Sequence, residues 1–358
     1  MKSPKPNKVK YELLAPAGSF PSLLTAIAEG ADAVYLGLKE GMNMRASAKN
    51  FSIKDLPKIR EICDANKIRK VKIYLTLNTI IYDNELAKVE RIITKAKKYL
   101  DAIICWDFSI INLCKKYKIP FHISTQASIS NKQSALFYKK LGAERVILAR
   151  ELSIKQIKEI SKIVDTEVFV HGAMCVSVSG RCFTSQFLFG KSANRGECMH
   201  PCRRQYLVKD EEGNELKLEN NQVMSAKDLC TIELIEGLKK AGIKAFKIEG
   251  RNREPEYVQT TVRVYRKALD KKLTKEEIQK SLEELDKVYN KGFSSGFYLN
   301  TPGKKEFSSS ENSSSTHRKE LIGRIIHYFP DKQVAAIRLF SGQIKTGVKV
   351  VESALDVV

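Results

Sequence analysis

The sequence predicts an α/β fold: a (β/α)8 TIM-like barrel with a Cys-rich insertion between strands 7 and 8, plus a small C-terminal β domain. Three observations carry this expectation. Short β-branched runs alternate with helical patterns over the first two-thirds of the 358 residues. The strand runs are almost continuously apolar, as expected for parallel strands covered on both faces. Residues 173–244, where a loop and a helix would suffice, instead hold five of the eight cysteines. A doubly wound open sheet is the alternative, because periodicity does not reveal closure.

Each strand candidate is followed by a helical stretch or a loop. YELLAPAG (11–18) leads into PSLLTAIAEG, and DAVYLG (32–37) into IKDLPKIREICDANK. KVKIYLTLN (70–78) precedes NELAKVERIITKAKKYL, and AIICWD (102–107) precedes SIINLCKKY. PFHIST (120–125) and RVILAR (145–150) precede NKQSALFYKKLG and SIKQIKEISKIV. TEVFVHG (166–172) opens into the insertion, and AFKIEG (245–250) is followed by EPEYVQTTVRVYRKALD. This places the barrel over 11–300 and the insertion over 173–230. Within the insertion, 205–225 reads as a polar hairpin turning at EEGN. Residues 1–10 read as a basic tail. Residues 301–319 are Ser-rich and poor in apolar side chains, which predicts a linker. Beyond them, 320–358 alternates like a β-meander with turns at FPDK and SGQ.

The net charge of +21, from 62 basic and 41 acidic residues, favours polyanions such as nucleic acid or phosphorylated partners. A Lys-rich proteome would give the same balance without an RNA partner. No apolar run approaches the roughly 18 residues of a membrane helix, so no membrane is expected and the default localisation is cytoplasmic.

With no secretory signal, the clustered cysteines predict free thiols for metal or catalysis rather than disulfides. The spacing is C-x6-C-x15-C-x3-C-x27-C, from Cys175 through Cys182, Cys198 and Cys202 to Cys230. Only Cys198/Cys202 has the short knuckle of a zinc ribbon. Wider gaps suit an iron–sulfur cluster held by several loop segments. Structural zinc and buried thiols remain open. Five cysteines compete for four positions. A helix starting after Cys230 would stabilise its thiolate, which favours Cys175, Cys182, Cys198 and Cys230, with Cys202 the spare. Cys63, Cys105 and Cys114 fall in helix or strand patterns and read as core.

Polar residues at the upper ends of barrel strands are candidates for function: Asn78, Asp107, Gln126, Glu151, His171, Glu249 and Arg251. His171 is a candidate acid–base group. Glu249, Arg251 and Arg253 lie in KIEGRNRE, and Arg203 and Arg204 follow Cys202. Guanidinium forks at these positions suit an anionic ligand. Helix capping and loop ion pairs are the plainer roles for the same residues. HExxH, GxSxG, a P-loop and GxGxxG are all absent, so zincin proteolysis, elbow-type hydrolysis and nucleotide binding lack sequence support.

Several separated segments resemble the peptidase U32, or collagenase-like protease, family. They are ELLAPAGSFPSLLTAIAEGADAVYLG (12–37), VFVHGAMCVSVSGRCFTS (168–185), NRGECMHPCRRQY (194–206), MSAKDLC (224–230) and FKIEGRNREPEYV (246–258). The resemblance spans 11–300, and GRIIHYFPDKQVAAIRLFSGQIKTGVKV looks like a shortened form of the family's translation-factor-like β-barrel. It implies a [4Fe-4S] cluster on Cys175, Cys182, Cys198 and Cys230. In its hydroxylation branches the family modifies a tRNA wobble uridine, an rRNA cytidine or a quinone ring, with prephenate as a required metabolite. The expectation is therefore iron–sulfur-dependent hydroxylation of an RNA base, most simply 5-hydroxyuridine formation in tRNA. The catalytic set would be His171, Glu249 and Arg251. Substrate would be held by Arg203, Arg204, Arg253, Asn78 and Gln126. Some relatives act in pairs, so a partner subunit of the same family is a further expectation. A U32-type peptidase is the alternative, and a non-catalytic RNA-binding or assembly factor the second alternative.

Overall fold

The structure is a computed structural model that describes residues 11–66, 69–216, 218, 222–308, 323–329 and 334–339. The N-terminal tail 1–10 and most of the C-terminal β segment lie outside the described residues.

Eight parallel strands close into the expected barrel. They are β1 (Glu12–Pro16), β2 (Ala33–Leu36), β3 (Lys72–Thr76), β4 (Ala102–Cys105), β5 (Phe121–Ile123), β6 (Arg145–Ile147), β7 (Asp165–Gly172) and, after the short insertion strand β8 (Asp228–Cys230), β9 (Ala245–Ile248). Neighbours pair in sequence from β1 to β7; β7 then pairs with β9, and β9 with β1. The strands are buried almost throughout, which explains their unbroken apolar pattern. Helices return between them with good caps, such as Ser19 accepting from Ser22 N before the helix Phe20–Ala28.

The barrel interior is partly ionic. Glu12, Arg145, Glu167 and Lys247 are all buried. Arg145 Nη1 lies 2.5 Å from Glu12 and 3.5 Å from Glu167, while Lys247 Nζ donates to Glu167 at 3.0 Å. Burial opposes the Glu12 charge, but Arg145 outweighs it and holds the carboxyl at about 2. Two anions and two cations thus balance inside the lower barrel, as a buried charged set must.

The insertion leaves from the top of β7. Gly172 has φ 108°, and a Cβ there would lie 2.6 Å from the Glu249 carbonyl, so only glycine lets the chain turn out at that point. Gly196, at φ 92°, closes similarly onto the Asn43 carbonyl and docks the insertion on the loop after β2. The expected hairpin is present as a bridge between Lys209 and Glu215 around residues 210–214; residues 217 and 219–221 lie outside the description. The insertion returns through β8, antiparallel to β7 and parallel to β10 (Phe293–Ser294).

Of the expected linker 301–319, residues 301–308 are described and the rest lie outside the described residues. Residues 304–306 form a 3-10 turn, Phe307 bridges Ala226, and Ser308 N donates to Ser225 O at 2.7 Å. Backbone pairing with the insertion holds a segment that has little apolar surface to bury. Thr316–Val358 forms a second unit. Its described part is an antiparallel hairpin, β11 (Gly323–Phe329) with β12 (Val334–Leu339). No helix among the described residues is long and apolar enough to cross a membrane.

Candidate functional site

A cavity of about 460 Å³ opens where the insertion folds over the C-terminal end of the barrel. Glu249 and Gly250 reach it from the end of β9, Arg45 from the loop after β2, and Arg150 and Glu151 from the end of β6. Cys175, Cys182, Cys198 and Cys202 line its insertion side, and Arg253, Tyr289 and Lys291 complete it.

The four thiols share one electrostatic environment. Burial raises the Cys202 pKa, and Cys175, Cys198 and Cys182 reinforce the rise. Burial also acts on Cys182, but the hydroxyls of Thr184 and Ser177 and the backbone N–H groups of 184 and 185 bring its pKa down. Thr184 Oγ1 lies 3.3 Å from the sulfur. These hydrogen bonds shift Cys182 toward its thiolate form. Among the described residues, no three His, Cys, Asp or Glu side chains are already drawn into a metal-holding group.

Cys230 ends β8 opposite His171, two residues before the 3-10 helix Ile232–Leu234, and its Sγ accepts from Tyr265 OH at 3.7 Å. Burial pushes its thiol up to about 11, although the first N–H of that helix, at Ile232, works to lower it as a helix start should. It does not line the cavity. Pairing with β7 and β10 draws 228–230 into a strand, which leads through the 3-10 turn Ile232–Leu234 into the helix Ile235–Lys240. The cavity therefore gathers Cys202 where Cys230 was expected.

Glu249 is the carboxylate of the site. Burial opposes its ionisation, but Arg45 at 2.9 Å, with Arg150 and Arg251, holds it at about 2. The ion pair favours its charged form at neutral pH. Tyr35 OH also donates to it at 3.3 Å.

Two further catalytic candidates lie off the cavity. His171 is 1% exposed, does not line the cavity and faces Tyr265 OH at 3.3 Å. Burial lowers its pKa to about 3, so it stays neutral. Arg251 is 4% exposed and donates to Asn43 Oδ1 at 3.0 Å and Asn50 Oδ1 at 3.4 Å. It ties down the 43–50 loop that presents Arg45.

The binding candidates divide. Arg203 lines the cavity, but its guanidinium is committed to the carbonyls of Ala226 and Met174 and to Ser225 Oγ. It straps the insertion together. Arg204 is exposed, stands over Phe189 and does not line the cavity. Asn78 is buried among Met44 N, Ser124 and Gln126, and Asp107 caps the helix Phe108–Lys116. Gln126 lines the cavity with its Oε1 held by Asn78 and Ser124. Glu151 lines it while accepting from Ser179 N at 2.9 Å.

Arg253 is the remaining candidate. It lines the cavity and stacks 3.5 Å from the Tyr289 ring centroid, and no carboxylate pairs with it among the described residues. Three cavity cations escaped sequence reasoning. Arg45 sits in a loop of no motif. Arg150 sits one residue before the chosen Glu151, over Phe169 at 4.0 Å and donating to Ala173 O. Lys291 lies far along the chain and is 7% exposed, and burial lowers its pKa to about 8. Like Arg253, Lys291 has no ion pair among the described residues. Only contacts across the fold bring these cations together, so no local signal marked them.

The model of peptidase family U32 matches residues 18–308. A protein named collagenase from Porphyromonas gingivalis is 41% identical over 363 residues, covering 95% of this chain and 86% of the relative. An uncharacterized protease of Methanocaldococcus jannaschii is 42% identical over 349 residues, covering 93% and 84%. The tRNA hydroxylation protein P1 of Bacillus subtilis is 37% identical over 343 residues, covering 92% and 80%.

Proposed function

Because the chain belongs to peptidase family U32, we propose that it hydroxylates an RNA base, in the first instance a tRNA uridine to 5-hydroxyuridine. The observation that carries this reading is four thiols lining one cation-rich cavity at the catalytic end of a barrel. The relative from Bacillus subtilis is named for tRNA hydroxylation, and the +21 charge suits an RNA backbone.

The donor set fits a [4Fe-4S] cluster: soft thiolates, a Cys182 shifted toward its thiolate form and neighbouring guanidinium groups to offset negative charge. Cys175, Cys182 and Cys198 would be three ligands. The fourth position has two claimants: Cys202, which shares the cavity, and Cys230, which the resemblance implies. When bound, such a cluster supplies one-electron transfer at a potential tuned by its surroundings.

The chain's own residues bind and orient. Arg253, Lys291 and Arg150 offer positive charge to an anionic cosubstrate such as prephenate, with Arg253 held flat by Tyr289. Gln126, its Oε1 already occupied, presents an amide N–H2 with no partner among the described residues. Glu249, its charged form favoured by Arg45, accepts hydrogen bonds from substrate and repels a misplaced carboxylate. The half-enclosed cavity limits water around the reacting base.

The test is nucleoside mass spectrometry of tRNA and rRNA from cells with and without the gene. The expected result is loss of one hydroxylated pyrimidine; identical nucleoside profiles would overturn the reading. A peptidase reading is favoured by the names of two relatives and by His200, which lines the cavity near the thiols. Cleavage of a collagen-like peptide, lost in Cys198→Ala, would put it first.

A further inference from the structure

We propose that the rim of this cavity is a stacking platform for unpaired RNA; the proposal rests on the RNA reading above. Three arginines of the insertion each lie over an aromatic ring. Arg181 is 5.5 Å from the Trp106 centroid, Arg195 is 4.8 Å from Tyr82, and Arg204 is 5.0 Å from Phe189. Tyr82 and Trp106 come from the loops after β3 and β4, so two pairs join barrel to insertion. Each arginine sits within two residues of a cavity-lining position: Cys182, Ala193 and Arg203. The pairs therefore border the cavity.

Two more rings stand beside them without cover. Phe183 is 73% exposed and Phe187 is 88% exposed. Phe187 N donates to Phe183 O, so the two lie one turn apart, Phe183 capping the helix Thr184–Phe189 and Phe187 within it. Leaving two phenyl rings in water forgoes apolar burial, and it happens beside Thr184, which lines the cavity.

The chemistry selects the occupant. Flat aromatic and guanidinium surfaces stack on base faces, and only unpaired bases expose those faces. The guanidinium edges suit phosphate. Arg195 is also paired with Glu85 and Arg181 donates to Gln126 O, so both planes are held rigidly as stacking surfaces. A duplex would find phosphate contacts here but nothing to stack on. A base bound at the rim has only to turn inward to enter the cavity.

The test uses the full chain with fluorescence anisotropy. Its probes are a labelled unpaired RNA oligomer, the same sequence as a duplex, and a collagen-like peptide. Wild type is expected to prefer the unpaired oligomer. Phe187→Ala should raise its Kd about 5- to 100-fold, the range for losing one stacked base, with duplex binding unchanged. Phe187→Trp should restore affinity. Phe183→Ala provides a second variant, and both side chains are exposed enough that thermal unfolding should not move. Unpaired RNA bound equally well by Phe187→Ala would overturn the platform and leave the RNA reading standing. Binding of no RNA at low salt would remove both. Peptide binding lost in Phe187→Ala, or a wild-type dimer that this variant dissociates in light scattering, would overturn the platform by assigning the rings to a protein contact.

Discussion

Replacing Arg45 with Gln tests the electrostatics on which the site rests. Arg45 Nη2 is 2.9 Å from Glu249 Oε1, and the side chains are only 30% and 12% exposed. The Glu249 carboxyl falls from the ordinary 4.5 to about 2, which corresponds to about 3 kcal/mol of stabilisation of the charged form. Arg150 and Arg251 share that effect, so Arg45→Gln should cost about 2 kcal/mol at neutral pH, below the usual loss from a wholly orphaned buried ion. The pH dependence has a definite sign. In wild type the folded pKa is depressed, so the stabilisation is present above about 4.5 and is lost as pH falls toward 2. In Arg45→Gln the folded pKa moves back toward its ordinary value, because Arg150 and Arg251 hold only part of the depression, so less stabilisation is left for acid to remove. The difference between the two proteins should therefore shrink from pH 7 to pH 3. Urea unfolding in the presence of chelator, read by the single tryptophan, Trp106 at the cavity end of the barrel, measures it. Arg45→Gln/Glu249→Gln should recover most of the loss. A loss below about 0.5 kcal/mol at pH 7, or one that grows in acid, would refute the reasoning.

Other outcomes follow from the same geometry. Iron and acid-labile sulfide in anaerobically purified protein should fall sharply in Cys182→Ser, and whichever of Cys202→Ser and Cys230→Ser loses them identifies the fourth ligand; zinc without sulfide would remove the cluster. Arg253→Met should raise the KM for an anionic cosubstrate about 10- to 100-fold with little change in kcat, the scale of one charge-assisted hydrogen bond; an unchanged KM would place the anion elsewhere. His171→Gln should leave the pH–rate profile unchanged while lowering stability by about 1–3 kcal/mol, whereas a catalytic base would lose about 100-fold or more in kcat. RNA affinity should fall linearly in log Kd against log salt, and a flat dependence would contradict charge-driven binding.

The barrel was legible because its strands are buried on both faces, and burial writes itself into composition. The insertion was legible because five cysteines crowd a stretch longer than a βα connection requires. Side-chain direction was not legible. His171 and Arg251 lie at strand ends as expected, yet one points to Tyr265 and the other to Asn43 and Asn50. Strand-end position gives height in the barrel, not whether a side chain meets the cavity or the loops behind it. Cys230 illustrates a related difficulty. MSAKDLC reads locally as a helix approach, but pairing of 228–230 with β7 and β10 decides its setting, and both partners are distant in sequence. Arg45, Arg150 and Lys291 carry no motif, and the cavity assembles them from three separate segments.

The distribution of charge separates the two ends of this barrel. Inside the lower barrel, Glu12 and Glu167 are matched by Arg145 and Lys247, so that end is electrically closed. At the cavity, Arg45, Arg150, Arg253 and Lys291 face Glu249 and Glu151, and Arg253 and Lys291 have no ion pair among the described residues. Burying cations is costly: burial depresses the Lys291 pKa, and the nearby buried Asp228 offsets only part of that depression. On the proposed function, anions bound there would meet the deficit: deprotonated thiolates around a metal centre, a carboxylate cosubstrate, or both. A ligand that neutralises such a site binds the folded chain and not the unfolded one, so it raises apparent stability by mass action. Prephenate at about 100 times its Kd should therefore raise unfolding free energy by about 2.7 kcal/mol. Arg253→Met, with ligand binding weakened about 10- to 100-fold, should cut that increment to about 0.4–1.4 kcal/mol while leaving unliganded stability equal or higher, because Arg253 has no ion pair among the described residues to lose. A variant that loses stability without ligand would mean that Arg253 serves the fold and that the positive cavity is not held in readiness for an anion.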